Sequence, residues 1–283
     1  KNGCELLATG GCDRDVKIWK IDNGRLECVE SLQAVDSGTH TVCFHEGDSL
    51  LFAAGSKEFL YVWRLTNEGQ LFRLNIFEVG DHNKIYKLRV TTMSLTVKKR
   101  LFIGLSDATV RINDYSFSDN SIQFIEKVKL NGVPVSSSTV LFGDDEVVAF
   151  ATSTGDAYWF FVNVADQHFT CHAQKLVNCG IHCIRSFVFN SSLFSVTAGD
   201  DGDVKLWKLN GDGEFAMVEV LTISKGHTGG TKALAVEFGK QHFLKILSFS
   251  YDQKAVVYFL DLSSLCVVDS REFEVSVTDG IAC

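Results

Sequence analysis

One segment is written six times along this chain of 283 residues: an apolar run, a short polar turn and a second apolar run. The copies begin at Leu6, Leu50, Arg100, Val147, Leu193 and Lys245, the fifth reading LFSVTAGDDGDVKLWKL. Aligned on Trp19, the same position holds Trp63, Asn113, Phe160, Trp207 and Tyr258, at spacings of 44, 50, 47, 47 and 51 residues. Self-similarity at this period marks a repeat architecture, in which one unit cannot bury its own apolar faces and its neighbours do so.

Between copies lie two further strand-like runs, such as Leu26 to Leu32 and Thr41 to Phe44, which makes four strands per period. A single proline, Pro134, and an abundance of Val, Ile and Phe favour strands parted by glycine turns. The reading is an all-β chain, a β-propeller of four-stranded blades, with six blades by repeat count and seven if flanking sequence supplies another. The chain opens on Lys1 and inside a blade, so residues 1–283 read as one propeller domain cut from a longer, multi-propeller protein. The closing Gly280, Ile281, Ala282 and Cys283 would supply the strand that the first blade lacks.

The turn between the two apolar runs carries Asp13, Asp107, Asp201 and Asp252, each six residues before the aligned aromatic position, with Lys57 and Thr154 there in two other copies. Gly226-His227 precedes the last unit. These segments resemble WD repeats, in which the turn Asp and the Gly-His histidine share a hydrogen-bond network that pins the turn to its blade. The resemblance gives Asp13, Asp107, Asp201, His227 and Asp252 a structural role, since a buried carboxylate and imidazole must be paired. The stretch from His227 to the end, with Ser250, Asp252 and Gln253 in the turn and Val277, Thr278 and Asp279 beyond it, is similar to one WD-repeat family. That family is the regulatory subunit of the methyltransferase acting on the ribose 2′-oxygen at the tRNA wobble position, although Phe259 stands where its members usually have Trp.

No phosphate-cradling GxxxxGK[ST], nucleophile elbow or HExxH zinc helix is present. The reading is therefore noncatalytic and without cofactor. Cys171, His172, Cys179, His182 and Cys183 form the richest metal-like group, but strand alternation would turn them to opposite faces. Nine cysteines with no CxxC pair read as reduced thiols in a cytoplasmic protein, and no run of about 18 apolar residues marks a membrane span. A net charge of −8 argues against general nucleic-acid affinity. One basic block departs from this balance: Lys84, Lys87, Arg89, Lys98, Lys99 and Arg100, with no acid between them, a patch for RNA phosphate or an ordinary solvated hairpin.

Trp159 falls one place before the aligned position and is expected on the opposite, more exposed face of its strand. The function implied is assembly: a scaffold that binds a protein partner, by resemblance a tRNA ribose methyltransferase with tRNA contacted indirectly. The alternative is a generic WD-repeat adaptor, either a ubiquitin-ligase substrate receptor or a trafficking scaffold.

Overall fold

The computed structural model describes residues 5–22, 24–33, 38–66, 69–80, 88–211, 214–224, 226–239 and 242–275. The fold is all-β, six blade sheets of the β-propeller class, each an antiparallel meander in sequence order. The strands fall into two compact units, Lys1–Pro134 and Val135–Cys283.

Unit 1 holds three sheets. The first has β1 (Glu5–Gly10), β2 (Asp15–Asp22) and β3 (Arg25–Gln33) among the described residues. The second has β4 (Thr39–His45), β5 (Leu50–Gly55), β6 (Phe59–Leu65) and β7 (Leu71–Glu78). The third has β8 (Val90–Leu95), β9 (Arg100–Leu105), β10 (Thr109–Ser116) and β11 (Ser121–Lys129). The strand sought at Gly280–Cys283 lies outside the described residues, so the pairing expected for it with β1 is not part of this description.

Unit 2 holds β12 (Pro134–Phe142), β13 (Asp145–Thr152), β14 (Asp156–Asn163) and β15 (Phe169–Lys175) in one sheet. The next contains β16 (Ile181–Phe189), β17 (Ser192–Gly199), β18 (Val204–Leu209) and β19 (Met217–Ile223). The last contains β20 (Thr231–Phe238), β21 (Phe243–Ser250), β22 (Lys254–Asp261) and β23 (Cys266–Glu274).

Burial falls from the second and third strands of a sheet to the fourth. β5 and β9 are buried at every residue, whereas β23 is exposed along its whole length. Strands buried on both faces need continuous apolar sequence rather than alternation, which is what Leu50–Ala54 and Leu101–Ile103 supply. Within each unit the sheets pack face to face. Leu50, Val62, Met93 and Ile103 share one cluster of unit 1, and Val196, Leu206, Leu234 and Ile246 share one of unit 2.

The tight turn between the second and third strands has a common chemistry. Its central residue takes a left-handed φ at Arg14, Ala108, Gly155, Gly202 and Gln253. Glycine adopts that conformation without cost; the others need help from the turn. Help comes from the residue before. The amides of Asp15 and Lys254 donate to Oδ1 of Asp13 and Asp252 at 3.2 and 3.1 Å, an Asx turn that holds Arg14 and Gln253 in place, and the Asp203 amide bonds Asp201 in the same way at 3.2 Å across Gly202.

The expectation for Trp159 is corrected in part. It does point away from the neighbouring Phe160, but it is 0% exposed, with Nε1 3.3 Å from Ser195 Oγ and its ring 5.2 Å from Phe215. Trp159 of β14 and Trp207 of β18 meet in one cluster. A strand sandwiched between two sheets has no exposed face for a shifted side chain to reach.

Candidate partner-binding face

Four inner strands begin with the same irregularity. The register slips between Thr39 and Thr41, Val90 and Thr92, Ile181 and Cys183, and Thr231 and Ala233, leaving His40, Thr91, His182 and Lys232 as the extra residues. A bulge re-aims its side chain out of the ladder. Here it directs each one toward the turn end of its own unit.

In unit 1, Nε2 of His40 lies 2.8 Å from Ser56 Oγ, and the Arg89 amide donates to Ser106 Oγ at 3.0 Å. Burial, and then the charge of Arg89, hold the His40 ring below the usual histidine range. Thr91 donates to the Gly104 carbonyl at 3.2 Å.

In unit 2 the arrangement is more elaborate. Nε2 of His182 is 2.5 Å from Asp200 Oδ1. The hydrogen bond from His182 lowers the Asp200 carboxyl against the opposing effect of burial, with further help from the Gly180 amide and Lys232. The carboxylate is therefore the acceptor and Nε2 carries the proton. Lys232 Nζ stands 3.1 and 3.4 Å from the two nitrogens of that ring and 4.2 Å from the centroid of Tyr251, which is 71% exposed. An ammonium over the face of an open phenol ring is a cation–π pair. Anchored, exposed tyrosine of this kind is typical of protein-binding hot spots.

A second histidine sits in what looks like a hydrolytic constellation. Nδ1 of His227 is 3.2 Å from both oxygens of Asp252, and Nε2 is 2.7 Å from Ser248 Oγ. Burial would raise the Asp252 carboxyl, but the amides of Thr228 and Lys254 and the His227 ring together take it below the usual range. Ser248 is 0% exposed, and its hydroxyl also lies 3.3 Å from the Val256 carbonyl. No substrate reaches a nucleophile placed there; the network ties the Asp252 turn to the loop before β20.

The other turn aspartates pair differently. Lys17 binds Asp13 at 2.6 Å, Lys205 binds Asp201, and Asp107 accepts from Thr109 at 2.6 Å with Lys127 at 3.8 Å. Where the loop supplies no histidine, a basic or hydroxyl side chain of the same sheet serves.

The described members of the basic block fall into two groups. Lys84 and Lys87 lie outside the described residues. Arg89 precedes β8 and Lys98, Lys99 and Arg100 follow it, so six strand residues, about 20 Å, separate the two groups. Lys99 pairs with Asp48 at 2.7 Å, and Arg100 makes a bidentate pair with Asp114 at 2.7 and 3.0 Å. The cysteine–histidine group is also dispersed: His172 stacks on Phe215 at 4.6 Å, His182 binds Asp200, and Cys183 Sγ donates to the Lys232 carbonyl. Among the described residues no group of three or more His, Cys, Asp and Glu is placed to hold a metal. No helix of the described residues is long and apolar enough to cross a membrane.

Sequence reasoning overlooked His40, Lys232 and Tyr251, and noted His182 only as a metal candidate. The available signal was a polar residue interrupting an apolar strand start, as in Ile181-His182-Cys183-Ile184.

The WD40 family, described as "WD domain, G-beta repeat", matches residues 166–208, from just before β15 into β18. The sequence repeat is thus offset by one strand from the sheet. Among curated proteins, the chain is 23% identical over 208 residues to a p21-activated protein kinase-interacting protein 1-like protein of Danio rerio, covering 74% of this chain and 50% of that one. It is 28% identical over 156 residues to a probable U3 small nucleolar RNA-associated protein 18 of Schizosaccharomyces pombe, covering 55% and 28%. A 72-residue stretch is 32% identical to the nuclear distribution protein nudF of Emericella nidulans, covering 25% and 16%. The chain therefore spans half or less of these relatives' length. The crystal structure of a protein from Lactobacillus plantarum superposes with a TM-score of 0.73 at 16% identity, covering 93% of this chain and 79% of that one. The chain carries a WD40 repeat within an all-β fold of six propeller blades.

Proposed function

We propose that this chain is a noncatalytic scaffold for protein–protein assembly, and that it holds its partner at the bulge end of unit 2 through Tyr251, Lys232 and His182. The observation that carries this reading is the exposed Tyr251 ring with the Lys232 ammonium over its face, 3.4 Å from Nδ1 of the His182 ring that donates to Asp200. Such a group presents a large rigid contact surface at little entropic cost. The absence of catalysis is supported by the burial of Ser248 and His227, and by the Lys232 ammonium, rather than a hydroxyl or thiol, beside the second nitrogen of His182.

In its sharper form the partner is a tRNA ribose methyltransferase in the cytoplasm, which this subunit supports at the wobble position by holding enzyme and tRNA together. Support comes from the similarity of the segment from His227 onward, including Ser250, Asp252 and Gln253. Contact with tRNA is indirect, with Arg89 and Lys98 the described members of the basic block that face solvent. The generic adaptor stands beside it because the Danio rerio relative is, by its name, a kinase-interacting protein. A pull-down of the protein from its own cells, with and without ribonuclease and read by mass spectrometry, decides between them. A ribose methyltransferase retained in both lanes supports the sharper form. Its reproducible absence, with ubiquitin-ligase or coat subunits in its place, supports the adaptor.

A further inference from the structure

A cavity of about 660 Å³ opens in unit 2 along β12, β16 and β20. Its wall is apolar, with Val140, Phe187, Val236 and Phe249 among the lining side chains, and its rim carries Leu141 and Phe238, which are 59% and 48% exposed. One lining residue breaks the pattern. The part-buried Arg185 places Nη1 2.8 Å from the Ile184 carbonyl, 3.3 Å from Ser136 Oγ and 3.5 Å from the Ser137 carbonyl. These neutral acceptors fix the guanidinium without cancelling its charge.

No carboxylate lines the cavity, and among the described residues none pairs with Arg185. Elsewhere the chain does supply such partners: Arg100 has Asp114 and Arg271 has Asp269. Arg185 is half-buried, so solvent reaches its free edge, and a carboxylate entering the cavity would replace that solvent with a counter-charge against an apolar wall. The Nε and Nη2 edge makes no hydrogen bond among the described residues, and two adjacent N–H groups of that kind match a carboxylate in the bidentate geometry. The volume lies in the range of small-molecule sites, about 300–1,000 Å³.

We infer that this cavity binds a small apolar monocarboxylate, its hydrocarbon body against Phe187, Val236 and Phe249 and its carboxylate on Arg185. A polyanion does not fit, since one guanidinium cannot repay the desolvation of several charges. A neutral hydrocarbon would leave the arginine as it is.

Calorimetric titration of the chain with octanoate and with 1-octanol tests this. Octanoate is expected to saturate one site per chain, and octanol to bind at least about tenfold more weakly, the equivalent of about 1.4 kcal/mol. Arg185→Gln brings octanoate to the level of octanol. If that variant does not melt cooperatively, the exposed rim provides a second test: Leu141→Glu weakens octanoate and Leu141→Lys strengthens it, with octanol unchanged in both. Equal affinity for octanoate and octanol, retention of the preference in folded Arg185→Gln, indifference to charge at Leu141, or no saturable octanoate heat would each overturn the inference. Because the readout involves no protein partner, it stands or falls separately from the scaffold reading.

Discussion

Asp252 sets both carboxylate oxygens 3.2 Å from Nδ1 of His227, whose side chain has no exposure to solvent. The same carboxylate accepts the Thr228 and Lys254 amides at 2.9 and 3.1 Å. One side chain thus anchors the loop before β20 and the turn that follows β21. Removing it strands a buried imidazole and two amides at once.

Asp252→Ala is therefore expected to lower stability by about 3 kcal/mol, the scale for breaking a buried charged network. Asp13→Ala, at a half-exposed pair, should barely move the melting temperature. Thermal melts of the two variants check the contrast; equal losses would mean that Asp252 does no more than cap a turn.

Acid should act through the same group. The folded Asp252 carboxyl titrates below its ordinary value of 3.8, so its stabilisation is complete above that value and is lost as pH falls through the lower folded one. Asp200 is shifted the same way and adds to the slope. The share of the melting temperature carried by these two carboxylates should be lost only below pH 3.8, after a separate loss that begins below 6.5 from the depressed His40 ring, and Asp252→Asn should flatten the acid fall while starting from a lower plateau.

Trp159→Ala should cost about 4 kcal/mol, because it empties a fully buried site and leaves Ser195 without its indole donor. Trp159→Phe keeps most of the volume and should cost clearly less. Denaturant unfolding at constant m-value gives both numbers.

The thiols should separate by burial. Desolvation pushes Cys43, packed beside the unit 1 core, up to about 12, and Cys183 is buried with Sγ donating to the Lys232 carbonyl. Among the described residues Cys12, Cys28, Cys171 and Cys266 are exposed. Iodoacetamide at mildly alkaline pH should modify these four before Cys43 and Cys183, which stay intact in the folded protein, since the thiolate is the reactive form. Mass mapping of modified peptides reads this out.

The repeat and the strand pairs were legible in the sequence because each follows from a local rule: apolar runs of strand length, parted by a short polar turn, at a spacing that recurs once per sheet. Trp159 was misjudged because alternation assigns a side chain to a face but does not tell whether a neighbouring sheet covers it. The separation of Arg89 from Lys98 was not legible because sequence proximity ignores the length of β8 that intervenes. His40 and Lys232 escaped notice because a bulge displaces one residue from the strand period, and the displacement depends on hydrogen-bond register rather than on residue type. Nothing in the sequence singles out Arg185, because the neutral character of its acceptors depends on which residues the fold brings beside it.

The scaffold reading is tested most directly at Tyr251. Partner capture by the native protein is compared with capture by Tyr251→Ala and Lys232→Glu, using isotope-labelled quantification and melts run in parallel. Both variants should melt like the native chain and retain at least about thirtyfold less partner, the loss of about 2 kcal/mol typical of a hot spot. Full retention by two well-folded variants would contradict the account and move the binding surface elsewhere on the molecule.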